Sequence, residues 1–156
     1  MCLSGRLPLD ERPLLFRYLL SMNEVNDYGA SALTTILVVS DMETSQRWYT
    51  DVLGAQVYRS YGGTSTVLTF LGNWLLLVTP GGPTDDKPNT HFVTPRDPDQ
   101  VHQAFTLRVE DCETSYRILK ERGATFITPP IKNGGETRCF FRDPDGHLFE
   151  ISSYKA

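Results

Sequence analysis

No CxxC pair, no lysine- or arginine-rich run and no apolar stretch long enough to span a bilayer occurs in these 156 residues. Each absence excludes something. The three cysteines, Cys2, Cys112 and Cys139, are odd in number and far apart, so they write neither a zinc knuckle nor a disulfide framework. They fit a reducing, cytoplasmic setting. Fifteen Lys and Arg against nineteen Asp and Glu give a net charge of −4, and without a basic cluster no nucleic-acid or anionic-membrane partner is expected. The apolar segment Leu14-Leu15-Phe16-Arg17-Tyr18-Leu19-Leu20 is short, broken by Arg17, preceded by Asp10 and Glu11, and followed by no small-residue cleavage site, so it does not read as a signal peptide.

What the sequence has in full is a repeat. Asp41-Met-Glu-Thr-Ser-Gln-Arg47 returns seventy positions later as Asp111-Cys-Glu-Thr-Ser-Tyr-Arg117, and the two copies lead to Gly54-Ala55 and Gly123-Ala124. Each copy specifies a helix. Asp41 and Asp111 can cap the first free N–H groups, Glu43 and Glu113 sit at the positive end of the dipole, and Gly54 and Gly123 suit the left-handed stop. Around the first helix, a β-branched strand from Leu33 to Val39 precedes it, and strands at 55–61, 64–71 and 74–79 follow, separated by Gly62-Gly63 and Gly72-Asn73 turns. The second copy repeats this with strands at 103–109, 124–128, 136–142 and 147–153, the last two joined through Asp143-Pro144-Asp145-Gly146, which on its own is a good turn.

The expected fold class is therefore α+β: two βαβββ modules whose mixed, curved sheets enclose a cleft, with an N-terminal extension. Residues 1–31 have no counterpart in the second copy and form the extension, whose Leu14, Leu15, Tyr18 and Leu19 would make one apolar helical face; Met22 is an alternative natural start. Residues 32–156 form the domain, with module one at 32–80, a proline-rich connecting loop at 81–102 and module two at 103–154. His91, on that loop, reads as a solvated side chain.

Side chains alternate across a strand, so faces follow from parity. Phe105, Leu107 and Val109, with Phe149 and Ile151, should pack on the helices. The opposite, mixed faces then line the cleft: Thr34, Ile36 and Val38 from the first strand, Leu76 and Val78 from the fourth, and Ala104, Thr106, Arg108, Leu148 and Glu150 from module two. Such a lining is mostly apolar, as small-molecule sites are. Glu150 and Arg108 are its only expected charges, and they either pair with each other, bind a polar substrate or sit solvated at the rim.

The strand ending in Val39-Ser40-Asp41, with Ser45, Trp48-Tyr49 and Leu53-Gly54, and later Arg142-Asp-Pro-Asp-Gly-His-Leu-Phe-Glu150, resembles the vicinal oxygen chelate superfamily, which takes in glyoxalase I, extradiol dioxygenases and bleomycin- and fosfomycin-resistance proteins. The resemblance covers residues 32–154. It implies paired βαβββ modules, often homodimers, and in the enzymes a divalent metal whose ligands come from the first and fourth strands of each module. Carried over, those positions are Thr34, Leu76, Ala104 and Glu150, and only Glu150 is a metal-ligand type. No cofactor is therefore expected; an atypical divalent site using Glu150 with His102, two residues from Ala104, is the alternative. Three functions compete: a cleft binding a small, largely apolar molecule, a lyase, isomerase or dioxygenase with Glu150 as ligand or catalytic base, and a dimeric regulatory or interaction module.

Overall fold

The computed structural model describes residues 28–30 and 32–154. The chain divides into two units, Met1–Leu33 and Thr34–Ala156, and the apolar helix expected around Leu14–Leu20 lies outside the described residues. Within the second unit, module one runs β1 (Thr34–Val38), α1 (Met42–Asp51), β2 (Gln56–Tyr61), β3 (Ser65–Phe70) and β4 (Asn73–Val78). Module two runs β5 (Ala104–Arg108), α2 (Cys112–Glu121), β6 (Thr125–Phe126), β7 (Ile131–Asn133), β8 (Glu136–Arg142) and β9 (Leu148–Tyr154). Among the described residues no helix is long and apolar enough to cross a membrane.

Both helix starts form as the repeat specifies. The Asp41 carboxylate accepts from the Thr44 N–H and the Asp111 carboxylate from the Thr114 N–H, each at 2.7 Å. Gly54 and Gly123 follow the two helices with φ of 76° and 103°, a region a side chain would disfavour.

The sheets are also copies of one plan. In module one the order is β1-β4-β3-β2, with β1 parallel to β4 and the other pairs antiparallel. In module two it is β5-β9-β8-β6, again with one parallel pair, β5 and β9. Here the strand expected at 124–128 shrinks to Thr125–Phe126, and a further short strand, Ile131–Asn133, forms beyond it. Thr125–Phe126 pairs with the end of β8 and Ile131–Asn133 with its beginning, because Pro129 and Pro130 between them have no N–H to give the ladder.

One apolar core serves both modules. Leu37, Leu75 and Leu77 from the first sheet and Phe141, Phe149 and Ile151 from the second are fully or almost fully buried in it, as the parity predicts for Phe149 and Ile151. Helix α1 joins the halves. The Trp48 ring lies 6.1 Å from Phe149 and 6.3 Å from Phe141, and Tyr49 meets Phe149 edge-on at 6.1 Å.

The buried thiols belong to this core as well. Cys112 and Cys139 stand with sulfurs 4.0 Å apart, both free, and burial raises both pKa values, that of Cys139 to about 12. Cys112 opens a helix, where the dipole favours a thiolate, but burial outweighs it. Iodoacetamide at pH 8 followed by peptide mapping should therefore leave Cys112 and Cys139 unmodified in the folded protein and alkylate both in urea. Rapid labelling of either in the native state contradicts the packing described.

Candidate functional site

The two mixed faces are the sides of the sheets turned away from the shared core. On module one, Ile36 lies opposite Leu76, and Leu76 opposite Val67; Val38 and Ser65 flank Val78 in the same way. Ile36, Val67, Leu76 and Val78 make an apolar surface, and Ile36 is 44% exposed, whereas Val38, expected on the same lining, is buried. Two aromatic groups extend it. Trp74, opposite Thr34 and Thr69, meets the Tyr58 ring edge-on at 4.8 Å, and Tyr58 is 65% exposed. Trp74 was open to the parity argument, standing two residues before Leu76. Tyr58 was not, because β2 carries a register shift between Val57 and Arg59 that breaks strict alternation.

The corresponding face of module two is polar. Thr106 lies opposite Glu150 and donates its hydroxyl to Oε2 at 2.7 Å, while Oε1 is 4.0 Å from Arg138 Nε. Arg108 bonds Glu136 at 2.9 Å and also the Ser152 hydroxyl, and Arg138 reaches the other Glu136 oxygen at 3.4 Å. The hydrogen bond from Arg108 holds the Glu136 carboxyl below its usual pKa. The expectation of only two charges on this face is thus corrected: β8 adds Glu136 and Arg138, since Arg138 lies opposite Ser152 and shares its side. Nor do Arg108 and Glu150 hydrogen-bond to each other. Ala104, opposite Leu148, completes the face beside Glu150, whose side chain is 13% exposed.

The structure therefore brings Thr34, Ile36, Leu76 and Val78 together on one sheet, and Ala104, Thr106, Arg108, Leu148 and Glu150 on the other. His102 lies apart from Glu150, lining a cavity with Gly146, His147 and Leu148. As donors for a divalent cation the four expected positions offer one carboxylate, one neutral hydroxyl and two hydrocarbon side chains. The carboxylate is already bonded to Thr106. Among the described residues no group of three or more His, Cys, Asp or Glu could hold a metal ion, so this donor set does not fit one.

The Asp-Pro-Asp-Gly segment is more than a turn. Asp145 accepts from the Ser40 N–H at 2.8 Å and the Ser45 hydroxyl at 3.0 Å. Asp143, only 5% exposed, accepts from the Tyr49 hydroxyl and the His147 N–H at 2.7 Å each and the Asp145 N–H at 3.0 Å. His147 Nε2 is 2.8 Å from the Val38 carbonyl. These contacts tie the start of α1 in module one to the β8–β9 turn in module two. Burial pushes the Asp143 carboxyl up, against the opposing pull of His147 and the Tyr49 bond, and burial together with Asp143 holds the Tyr49 hydroxyl well above its usual range. Serine, tyrosine and the two aspartates of the sequence motifs are therefore parts of one clasp.

With that architecture in place, the chain belongs to the Glyoxalase/Bleomycin resistance protein/Dioxygenase superfamily, whose family model matches residues 31–151. It is 31% identical over 115 residues to the glutathione transferase FosA of Serratia marcescens, covering 74% of each protein. It is 29% identical over 121 residues to biphenyl-2,3-diol 1,2-dioxygenase 3 of Rhodococcus globerulus, covering 74% of this chain and 59% of that enzyme. In structure it is similar to a glyoxalase/bleomycin resistance protein/dioxygenase from Alicyclobacillus acidocaldarius, with a TM-score of 0.63 at 20% identity over 86% of this chain and 96% of the other.

Proposed function

We propose that this protein binds a small, largely apolar molecule on the mixed face of module one and works as a homodimer in which the second copy closes the cleft. The observation that carries this reading is the open apolar surface of Ile36, Val67, Leu76 and Val78 with the Tyr58–Trp74 ring pair. An apolar patch of this kind, framed by polar groups, has the character of a ligand or partner surface rather than of ordinary exterior. The ring pair suits a flat aromatic ligand, which is also what the dioxygenase relative's name describes in its diol substrate. The polar face of module two supplies the complementary half: Arg138, Glu150 and Thr106 can orient a hydroxyl or carbonyl on an otherwise apolar molecule. A second reading, an enzyme with Glu150 as general base, is favoured by the fixed orientation that Thr106 gives this carboxylate.

The test is a titration with Nile red, a neutral apolar dye, alongside sedimentation velocity. Saturable dye enhancement at one dye per chain by a dimeric protein is the expected result. A monomer, or a folded protein that leaves the dye dark, contradicts the proposal.

A further inference from the structure

We propose that a second site, under the connecting loop, binds a small organic carboxylate with an apolar body. A cavity of about 420 Å³ lies between the loop and the first residues of β9, within the range of pockets that hold small ligands. Val93, Pro95, Val101 and Leu148 give it apolar walls, and Arg96 and His102 stand among them. Neither of these two makes a hydrogen bond or ion pair to any described residue, so both keep their donors for something else.

Asp97, His147 and Arg142 are committed nearby, whereas the Thr94 and Gln103 side chains, which also line the cavity, have no hydrogen-bond partner among the described residues. Asp97 accepts from the Asp99 N–H at 2.9 Å and from the Gln100 side-chain amide at 2.8 Å, which folds the loop on itself and occupies the carboxylate. His147 is bonded to the Val38 carbonyl. Arg142 reaches both the Gly146 carbonyl, at 3.1 Å, and the Pro98 carbonyl, and so fastens the loop to the turn beneath it. The walls are thus held in place before a ligand arrives, which lowers the ordering cost of binding.

Arg96 and His102, unpartnered among the described residues, define the ligand. A guanidinium fork matches a carboxylate through two parallel hydrogen bonds, and an imidazole lining the same cavity can add a third donor. The four apolar side chains require that the carboxylate be carried on a ring or short hydrocarbon. This site lies within one chain and shares only Leu148 with the residues assigned to the cleft. It needs neither a second copy nor the open face of module one.

Calorimetry and saturation-transfer NMR on the full chain with benzoate, benzyl alcohol and inorganic phosphate test the assignment. Benzoate should bind with its ring protons saturated, benzyl alcohol should not bind, and phosphate should be much weaker than benzoate. Arg96→Ala should weaken benzoate about tenfold or more, and His102→Ala should weaken it to a lesser degree, with circular dichroism unchanged because both side chains are exposed. Absence of benzoate binding overturns the proposal, as does equal binding by wild type and both variants. Phosphate binding as tightly as benzoate also overturns it, because the apolar walls then contribute nothing.

Discussion

Asp143→Ala is expected to remove about 2–4 kcal/mol of unfolding free energy, more than a routine surface change. The truncation leaves the buried Tyr49 hydroxyl without its acceptor and frees the N–H groups of Asp145 and His147 at the point where the two modules are tied. In urea, with a slope of roughly 1–3 kcal/mol per molar, the midpoint should fall by about 1 M or more. Tyr49→Phe removes one bond and keeps the ring against Phe149, so its cost should be nearer about 1 kcal/mol. The effect also carries a pH signature. Because burial raises the Asp143 pKa, its proton-linked stability is fully present below the unfolded value of 3.8 and declines as pH rises through the folded one. The gap between wild type and Asp143→Ala should therefore narrow from acid toward neutral pH. A variant within about 0.5 kcal/mol of wild type, the usual range for a surface change, contradicts the clasp.

Leu76→Glu should abolish Nile red binding. Leu76 lies between Ile36 and Val67 in the middle of the open face, so a carboxylate there meets an apolar ligand with no partner to offset its desolvation. A loss of about 100-fold or more in affinity is expected, corresponding to about 2.7 kcal/mol. The fold should survive, because Leu76 is only partly buried and the face looks away from the core. Leu76→Met, which keeps the volume and polarity, should bind nearly as wild type does. Binding of the dye by Leu76→Glu within about threefold of wild type removes the face from the site.

The repeated Asp-x-Glu-Thr-Ser motif made both helices legible, because capping is a local matter of a side chain and an N–H three residues away. Parity did the same for the faces wherever the strands were regular, which is why Ile36 and Leu76 could be placed on one face in advance. It stopped at the bulge before Arg59, where alternation is lost and Tyr58 joins Trp74. It also stopped at β8, whose Glu136 and Arg138 reach the module-two face through a register set by β9 rather than by any local pattern. The clasp was the least legible part. Tyr49 and Asp143 are 94 residues apart, and nothing in either segment alone says that they meet.

Metal analysis of the purified chain, after exposure to Mn, Fe, Ni and Zn and removal of excess, tests most directly the claim that this cleft works through apolar contact rather than a chelated ion. The donor set of Thr34, Leu76, Ala104 and Glu150 predicts content well below one ion per chain, with no difference between wild type and Glu150→Ala. Metal close to one per chain that disappears in Glu150→Ala contradicts the account and places the chemistry at Glu150.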